Sequence, residues 1–197
     1  MITTMRIFCL LLIYLLASCT QKTESSGETA STELEGVPPG ALKEEYVDTP
    51  GLIKITSNDN QGKISASGNY LNQKREGSWV EYTPTGMVKS ITSYVSGKKE
   101  GVLVEFNENG QLLRRCNYHN DLRDGEYKEY NYSTVKEERF YKNGKLEGTV
   151  KIFYADGKLM EEGLYKNGVR DGLSKWFDQQ GNMTIEYEYK DGVLVKK

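Results

Sequence analysis

The sequence predicts an all-β protein, an elongated antiparallel meander of stacked β-hairpin repeats with a period of about 24 residues, forming a single twisted sheet. Three observations carry this reading. Tyrosines recur at intervals of 24, 24, 23, 24 and 24 residues: Tyr70, Tyr94, Tyr118, Tyr141, Tyr165 and Tyr189. Seven residues after each of the first five lies a glycine preceded by an acid: Gly77, Gly101, Gly125, Gly148 and Gly172. Turn dipeptides alternate between the ends of each unit, as Asn143-Gly144 and Asn167-Gly168 after the tyrosine, and Thr85-Gly86, Asn109-Gly110 and Asp156-Gly157 in mid-repeat. Such dipeptides between β-prone runs are hairpin signals. A unit of this size cannot bury a face alone and has to stack on its neighbours.

The elements before the repeats follow in order. Ile7–Ala17 is an unbroken apolar run of 11 residues behind Arg6. A membrane-spanning helix needs about 20 residues, so residues 1–18 read as a secretory signal peptide. The run ends in Leu16-Ala17-Ser18-Cys19, which resembles the lipobox of bacterial lipoproteins. That resemblance implies cleavage before Cys19 and a lipid on its new N-terminus. The chain would then be held on the membrane of a bacterial envelope. Thr20 stands where some lipoproteins have the aspartate of inner-membrane retention, which favours the outer membrane. An ordinary signal peptide with a chance cysteine is the alternative.

Residues 19–52 are rich in Ser, Thr, Glu, Gly and Pro and hold seven acids against two lysines. Such a composition offers little surface to bury, and it predicts a flexible acidic tether. The rest of the chain, 53–197, is nearly neutral, with 21 acids and 23 bases, and no run of Lys and Arg exceeds two residues. Nucleic acid, which asks for a basic stripe, is not an expected partner.

Residues 53–69 read as a degenerate cap, because Ile53 and Asn58 stand where later units carry the glycine and an aromatic. The repeats proper occupy 70–197. If each mid-repeat dipeptide is a two-residue turn, paired residue numbers sum to a constant, and Gly77 faces Tyr94, Gly101 faces Tyr118, Gly148 faces Tyr165 and Gly172 faces Tyr189. The third unit is one residue shorter and lacks that glycine, yet a three-residue loop centred on Ser133 still pairs Gly125 with Tyr141. A tyrosine ring folded over a cross-strand glycine, aromatic rescue, is the expected reason for both columns.

The pattern Y-x-N-G-x-x-x-G, followed by an aromatic and a second N-G or D-G, resembles the variant form of the MORN repeat. This form is common in bacterial envelope proteins, some of them labelled YwqK-type antitoxins. The resemblance covers Tyr70 to about Lys197. It implies stacked hairpins and no particular chemistry.

The sequence offers few catalytic candidates. His119 is the sole histidine, beside a turn. Without a second histidine, a cysteine cluster or an ordered set of carboxylates there is no zinc pattern, and neither a metal nor another cofactor is expected. Cys116 falls within the repeat and reads as a small, partly buried side chain. The acids Glu76, Glu100, Asp124, Glu147 and Asp171 would form a file along one margin. Carboxylates satisfy backbone N–H groups at turns, and the alternative is binding of Ca²⁺ or a basic partner. The repeated tyrosines could stack on sugars or bases, although a thin sheet has more need of them as core. These features predict a lipid-anchored envelope protein, not an enzyme, whose repeat array is a scaffold for protein or envelope-polymer contacts. An antitoxin or immunity-like protein acting on an envelope toxin is the alternative.

Overall fold

Short runs of β-branched and aromatic residues between turn signals become strands in the computed structural model. It describes residues 34, 36, 37 and 40–196; the signal peptide and Cys19 lie outside them. No helix occurs among the described residues. The strands are β1 (Leu42–Glu45), β2 (Leu52–Asn58), β3 (Ile64–Leu71), β4 (Lys74–Tyr82) and β5 (Val88–Val95). They continue as β6 (Lys98–Phe106), β7 (Leu112–His119), β8 (Leu122–Asn131), β9 (Thr134–Lys142) and β10 (Lys145–Leu146). The last are β11 (Gly148–Phe153), β12 (Leu159–Lys166), β13 (Val169–Phe177), β14 (Met183–Lys190) and β15 (Val193–Lys196). All belong to one open antiparallel sheet in chain order, with β10 beside β11 against β9.

The turns after the repeated tyrosines are two-residue loops with both residues at positive φ. Asn143 and Gly144 sit at +49° and +79°, Asn167 and Gly168 at +52° and +93°. This is the type I′ geometry whose twist matches that of the flanking strands. Non-glycine residues accept it at Asn72-Gln73 and Asn120-Asp121.

The five expected glycine–tyrosine pairs are present: Gly77↔Tyr94, Gly101↔Tyr118, Gly125↔Tyr141, Gly148↔Tyr165 and Gly172↔Tyr189. The loops that set them differ from expectation. At Thr83–Met87 the Gly86 N–H donates to the Thr83 carbonyl, the Thr83 N–H to that of Met87, and Gly86 has φ +87°. The loop therefore has three residues, a turn closed by a glycine in the left-handed region. Tyr82 then pairs with Val88 but Glu81 with Ser90, so a bulge at Lys89 restores the register that a two-residue turn would have given. In the third unit the loop is the two-residue Tyr132-Ser133, and a bulge at Lys136 follows. The residue missing from that unit was lost from the loop, where no pairing depends on it.

Aromatic rescue at the repeated glycines is overturned. A Cβ on Gly77 or Gly148 would meet nothing within 4 Å, and at Gly101, Gly125 and Gly172 it would meet Ser93, Asn117 and Leu164, never the facing tyrosine. These glycines share a backbone conformation instead, with φ between +70° and +114°. On the far side of its strand each sits in a bulge: Glu76 pairs with Asn69 but Val80 with Ser67, leaving three residues around Gly77 opposite the single Gly68. A left-handed residue inside a strand asks for glycine. Rescue does occur at Gly68, whose missing side chain leaves room for the Trp79 ring, into which a Cβ would run.

Part of the stretch read as a tether is folded onto the sheet. Residues 42–45, placed within the tether, form β1 on the edge of β2. Upstream of it, Leu34 is only 7% exposed, packed with Ile55, Tyr70, Trp79 and Tyr94, while Val37 and Ala41 pack against the same cluster. A few apolar residues in a polar stretch suffice to dock when a ready apolar surface lies beside them. The cap is regular in its pairing, since Ile53 faces Tyr70 as the later glycines face theirs.

Candidate interaction surface

Because side chains alternate across a strand, cross-strand pairing assembles three rows on one face of the sheet. The first row holds the repeated tyrosines, each paired with the residue five positions on: Tyr70↔Arg75, Tyr94↔Lys99, Tyr118↔Arg123, Tyr141↔Leu146 and Tyr165↔Arg170. The second runs Trp79↔Thr92↔Leu103↔Cys116↔Tyr127↔Arg139. The third carries the acids Glu81, Glu105, Glu129, Glu137 and Glu161 among Ser90, Arg114 and Ile152. The buried residues Ile55, Tyr70, Trp79, Leu103, Cys116, Tyr127 and Tyr141 belong to this face.

Cations bind the rows together. The Arg75 guanidinium lies 4.6 Å from the Trp79 ring centre and 5.3 Å from that of Tyr94, and it donates to both the Tyr70 and Tyr94 hydroxyls. Burial by itself would lower its pKa, yet these hydroxyl contacts carry it above the ordinary arginine value. Arg123 lies 5.3 Å from both Tyr127 and Tyr141 and donates to the Tyr141 hydroxyl. Arg170 contacts Tyr165, Trp176 and Tyr189 and reaches Glu161. Arg114 pairs with Glu105 and Arg139 with Glu137. A half-buried cation over aromatic faces is stabilising by about 0.5–2 kcal/mol and fixes ring orientation. Tyr70 meets Trp79 edge to face at 5.8 Å, and Tyr127 meets Tyr141 likewise at 5.9 Å.

The file of acids has a structural task in every unit. Glu76 accepts the Ser96 N–H at 2.8 Å, Glu100 that of Asn120 at 3.0 Å and Asp124 that of Asn143 at 2.9 Å. Glu147 accepts from Asn167 at 3.0 Å and Asp171 from Asp191 at 3.1 Å. Each carboxylate thus holds the first residue of the next type I′ turn. The Asn120 N–H bond, then His119, holds the Glu100 carboxyl below its usual range, and the Asp191 N–H bond, then Lys190, does the same for Asp171. Among the described residues no three His, Cys, Asp or Glu side chains gather as a metal site.

His119 ends β7 with its side chain 60% exposed, and its Nδ1 lies 2.8 Å from Glu100. The Glu100 hydrogen bond raises its pKa. Cys116 is buried, and burial pushes its thiol up, away from the reactive thiolate. Sequence reasoning missed the arginine column and Leu34. The Arg or Lys five residues after Tyr70, Tyr94, Tyr118 and Tyr165 was the available signal for the column; Leu34 had none.

The profile of a family described as MORN repeat variant matches residues 75–96, 99–120, 146–167 and 170–191. Four such repeats are therefore present, each running from the first-row cation or leucine to the next type I′ turn. The unit at 123–143, with the shortened loop, lies outside the matches. No curated protein matches the chain. Among solved structures it is similar to a chain titled "Crystal structure of GtfA/B complex bound to UDP and GlcNAc", 14% identical, with a TM-score of 0.23, over 77% of this chain and 24% of that one. This chain spans about a quarter of that chain's length, and a likeness of this degree carries no argument.

Proposed function

We propose that this chain, with its four MORN repeat variants, is a lipid-anchored, non-catalytic scaffold of the bacterial envelope. The supporting observation is the face of tyrosines, stacked guanidiniums and paired carboxylates carried from unit to unit across the sheet. Aromatic and arginine side chains held rigidly by one another are what protein-binding surfaces are built from. The repeated acids and glycines are taken up by turns and bulges, so they supply no reacting group. Anchoring rests on Leu16-Ala17-Ser18-Cys19. From Cys19 to Leu34 a chain can reach at most about 54 Å, so the anchored fold would work close to its membrane.

Capture from intact envelopes tests the reading. The full chain should recover protein or polymer partners, and Cys19→Ala should abolish lipid labelling and release the protein from the membrane fraction. Unchanged labelling would end the anchoring proposal. Recovery of a toxin as the partner would replace the scaffold with an antitoxin.

A further inference from the structure

Each unit of the array seats the hairpin that follows it, except the last. The carbonyl five residues after the repeated tyrosine accepts the N–H of the second residue of the next type I′ turn: Arg75 from Gly97, Lys99 from Asp121, Arg123 from Gly144, Leu146 from Gly168 and Arg170 from Gly192, at 2.8–3.1 Å. The acid one place on takes the first N–H of the same turn, and the left-handed glycine follows it. After Tyr189 these three places hold Leu194, Val195 and Lys196. The carbonyl position is kept, while the acid and the glycine that seat a further hairpin are replaced.

Among the described residues β15 is paired with β14 alone. Its side chains are open: Val193, Leu194 and Val195 are 65%, 37% and 57% exposed. Leu194 pairs with Tyr189, so it carries the first row of the aromatic face to the edge. Its place in the unit turns its carbonyl away from β14, and in an antiparallel ladder the N–H of the same residue points the same way. An apolar edge with outward backbone groups is a template for another strand. The opposite edge is blunted, since three of the four residues of β1 are Lys43, Glu44 and Glu45, and Glu44 is paired with Lys54. Charges of this kind protect a sheet edge.

We propose that β15 pairs antiparallel with β15 of a second copy of this chain, about a two-fold axis through Leu194, joining two sheets edge to edge. A two-fold makes the strand its own complement. The two Leu194 residues exchange N–H and carbonyl bonds, Val193 of one copy faces Val195 of the other, and Lys196 lies across from Gly192, next to Asp191. Charge selects this register: centring one residue later, on Val195, would bring the two Lys196 residues to diagonal positions about 7–8 Å apart, whereas centring on Leu194 holds them further apart and near an acid. The axis is perpendicular to the sheet, so the tyrosine–arginine faces of both copies lie on the same side. Four residues on each side make a short contact, and the pairing depends on concentration.

Disulfide trapping on the full chain tests the pairing, with the linked peptides mapped so that Cys19 and Cys116 are told apart from the introduced thiols. Residues exchanging backbone bonds across an antiparallel pair have Cα atoms about 5.5 Å apart, within disulfide reach. L194C should therefore link to itself. V193C and V195C should link to each other when the two variants are mixed, and far more slowly each to itself. V47C, at a position 95% exposed and away from this edge, should not link. Adding L194K to both partners of the V193C and V195C mixture should cut the trapped yield about tenfold or more, because two lysines would then face each other on the axis. The substituted side chains are all exposed, and unchanged urea unfolding of each variant would show that the fold is intact. No link through L194C, self-links of V193C as fast as the mixed ones, equal linking of V47C, or links from L194C to L42C on the opposite edge would each overturn the proposal.

Discussion

Gly148 and Tyr165 are directly opposed across β11 and β12, and the ring leaves the glycine uncovered: a Cβ there meets nothing within 4 Å, while φ is +77°. The constraint on the glycine is its backbone. Gly148→Ala should destabilise by about 1–2 kcal/mol through left-handed strain alone. Tyr165→Ala should not relieve that cost, and a double-mutant cycle should give a coupling below about 0.5 kcal/mol. A larger coupling would mean that the ring covers the glycine after all.

Gly68 should behave in the opposite way. Its backbone is ordinary, but Trp79 fills the space of its side chain. Gly68→Ala should cost roughly 1–3 kcal/mol by overpacking. In a Trp79→Ala background most of that cost should vanish, a coupling of about 1 kcal/mol or more. Urea unfolding of the four proteins measures it.

The His119–Glu100 contact makes stability depend on pH. His119 has a raised folded pKa, so its contribution is complete below the ordinary histidine value of about 6.5 and is lost as pH rises through the folded value. Glu100 has a lowered one, so its contribution is present above the ordinary carboxylate range and is lost as pH falls through the folded value. Both are in force together only in mildly acidic solution. NMR titration should place the His119 midpoint above 6.5, and Glu100→Gln should bring it back toward that value.

Leu34→Ala should cost about 2–5 kcal/mol, as for a buried leucine. Stability in a repeat array is a sum of local terms, so the loss should be local. Hydrogen exchange should quicken in β2–β4 and stay unchanged in β12–β14. Uniform acceleration along the chain would contradict this.

The hairpin array was legible because its determinants are local. A type I′ turn, a left-handed glycine and a tyrosine at fixed spacing each act within a dozen residues, and repetition shows the turn and the tyrosine six times and the glycine five. The register came out right through two compensating departures: the loop at Thr83–Met87 is one residue longer than its dipeptide suggests, and the bulge at Lys89 restores the count. The reason for the repeated glycine was misread because facing and covering cannot be told apart without the bulge on the other side of the strand. Leu34 was hidden because its partners, Tyr70 and Tyr94, lie 36 and 60 residues away and its own neighbours are polar. The arginine column was open to view but unread, since a cation on a strand reads as solvent-facing until the rings beneath it are known.

The chain-ordered sheet also has a mechanical consequence. Apart from the short β10, which pairs with β9 alongside β11, each strand is hydrogen-bonded to its neighbours along the chain, and β1 and β15 lie at opposite edges. A pull on the two ends therefore loads one hairpin at a time, parting its bonds in succession instead of shearing many at once. Held by one edge and loaded at the other, such a sheet yields by unzipping at low force. It can re-form strand by strand, since every contact to be remade is with a near neighbour along the chain.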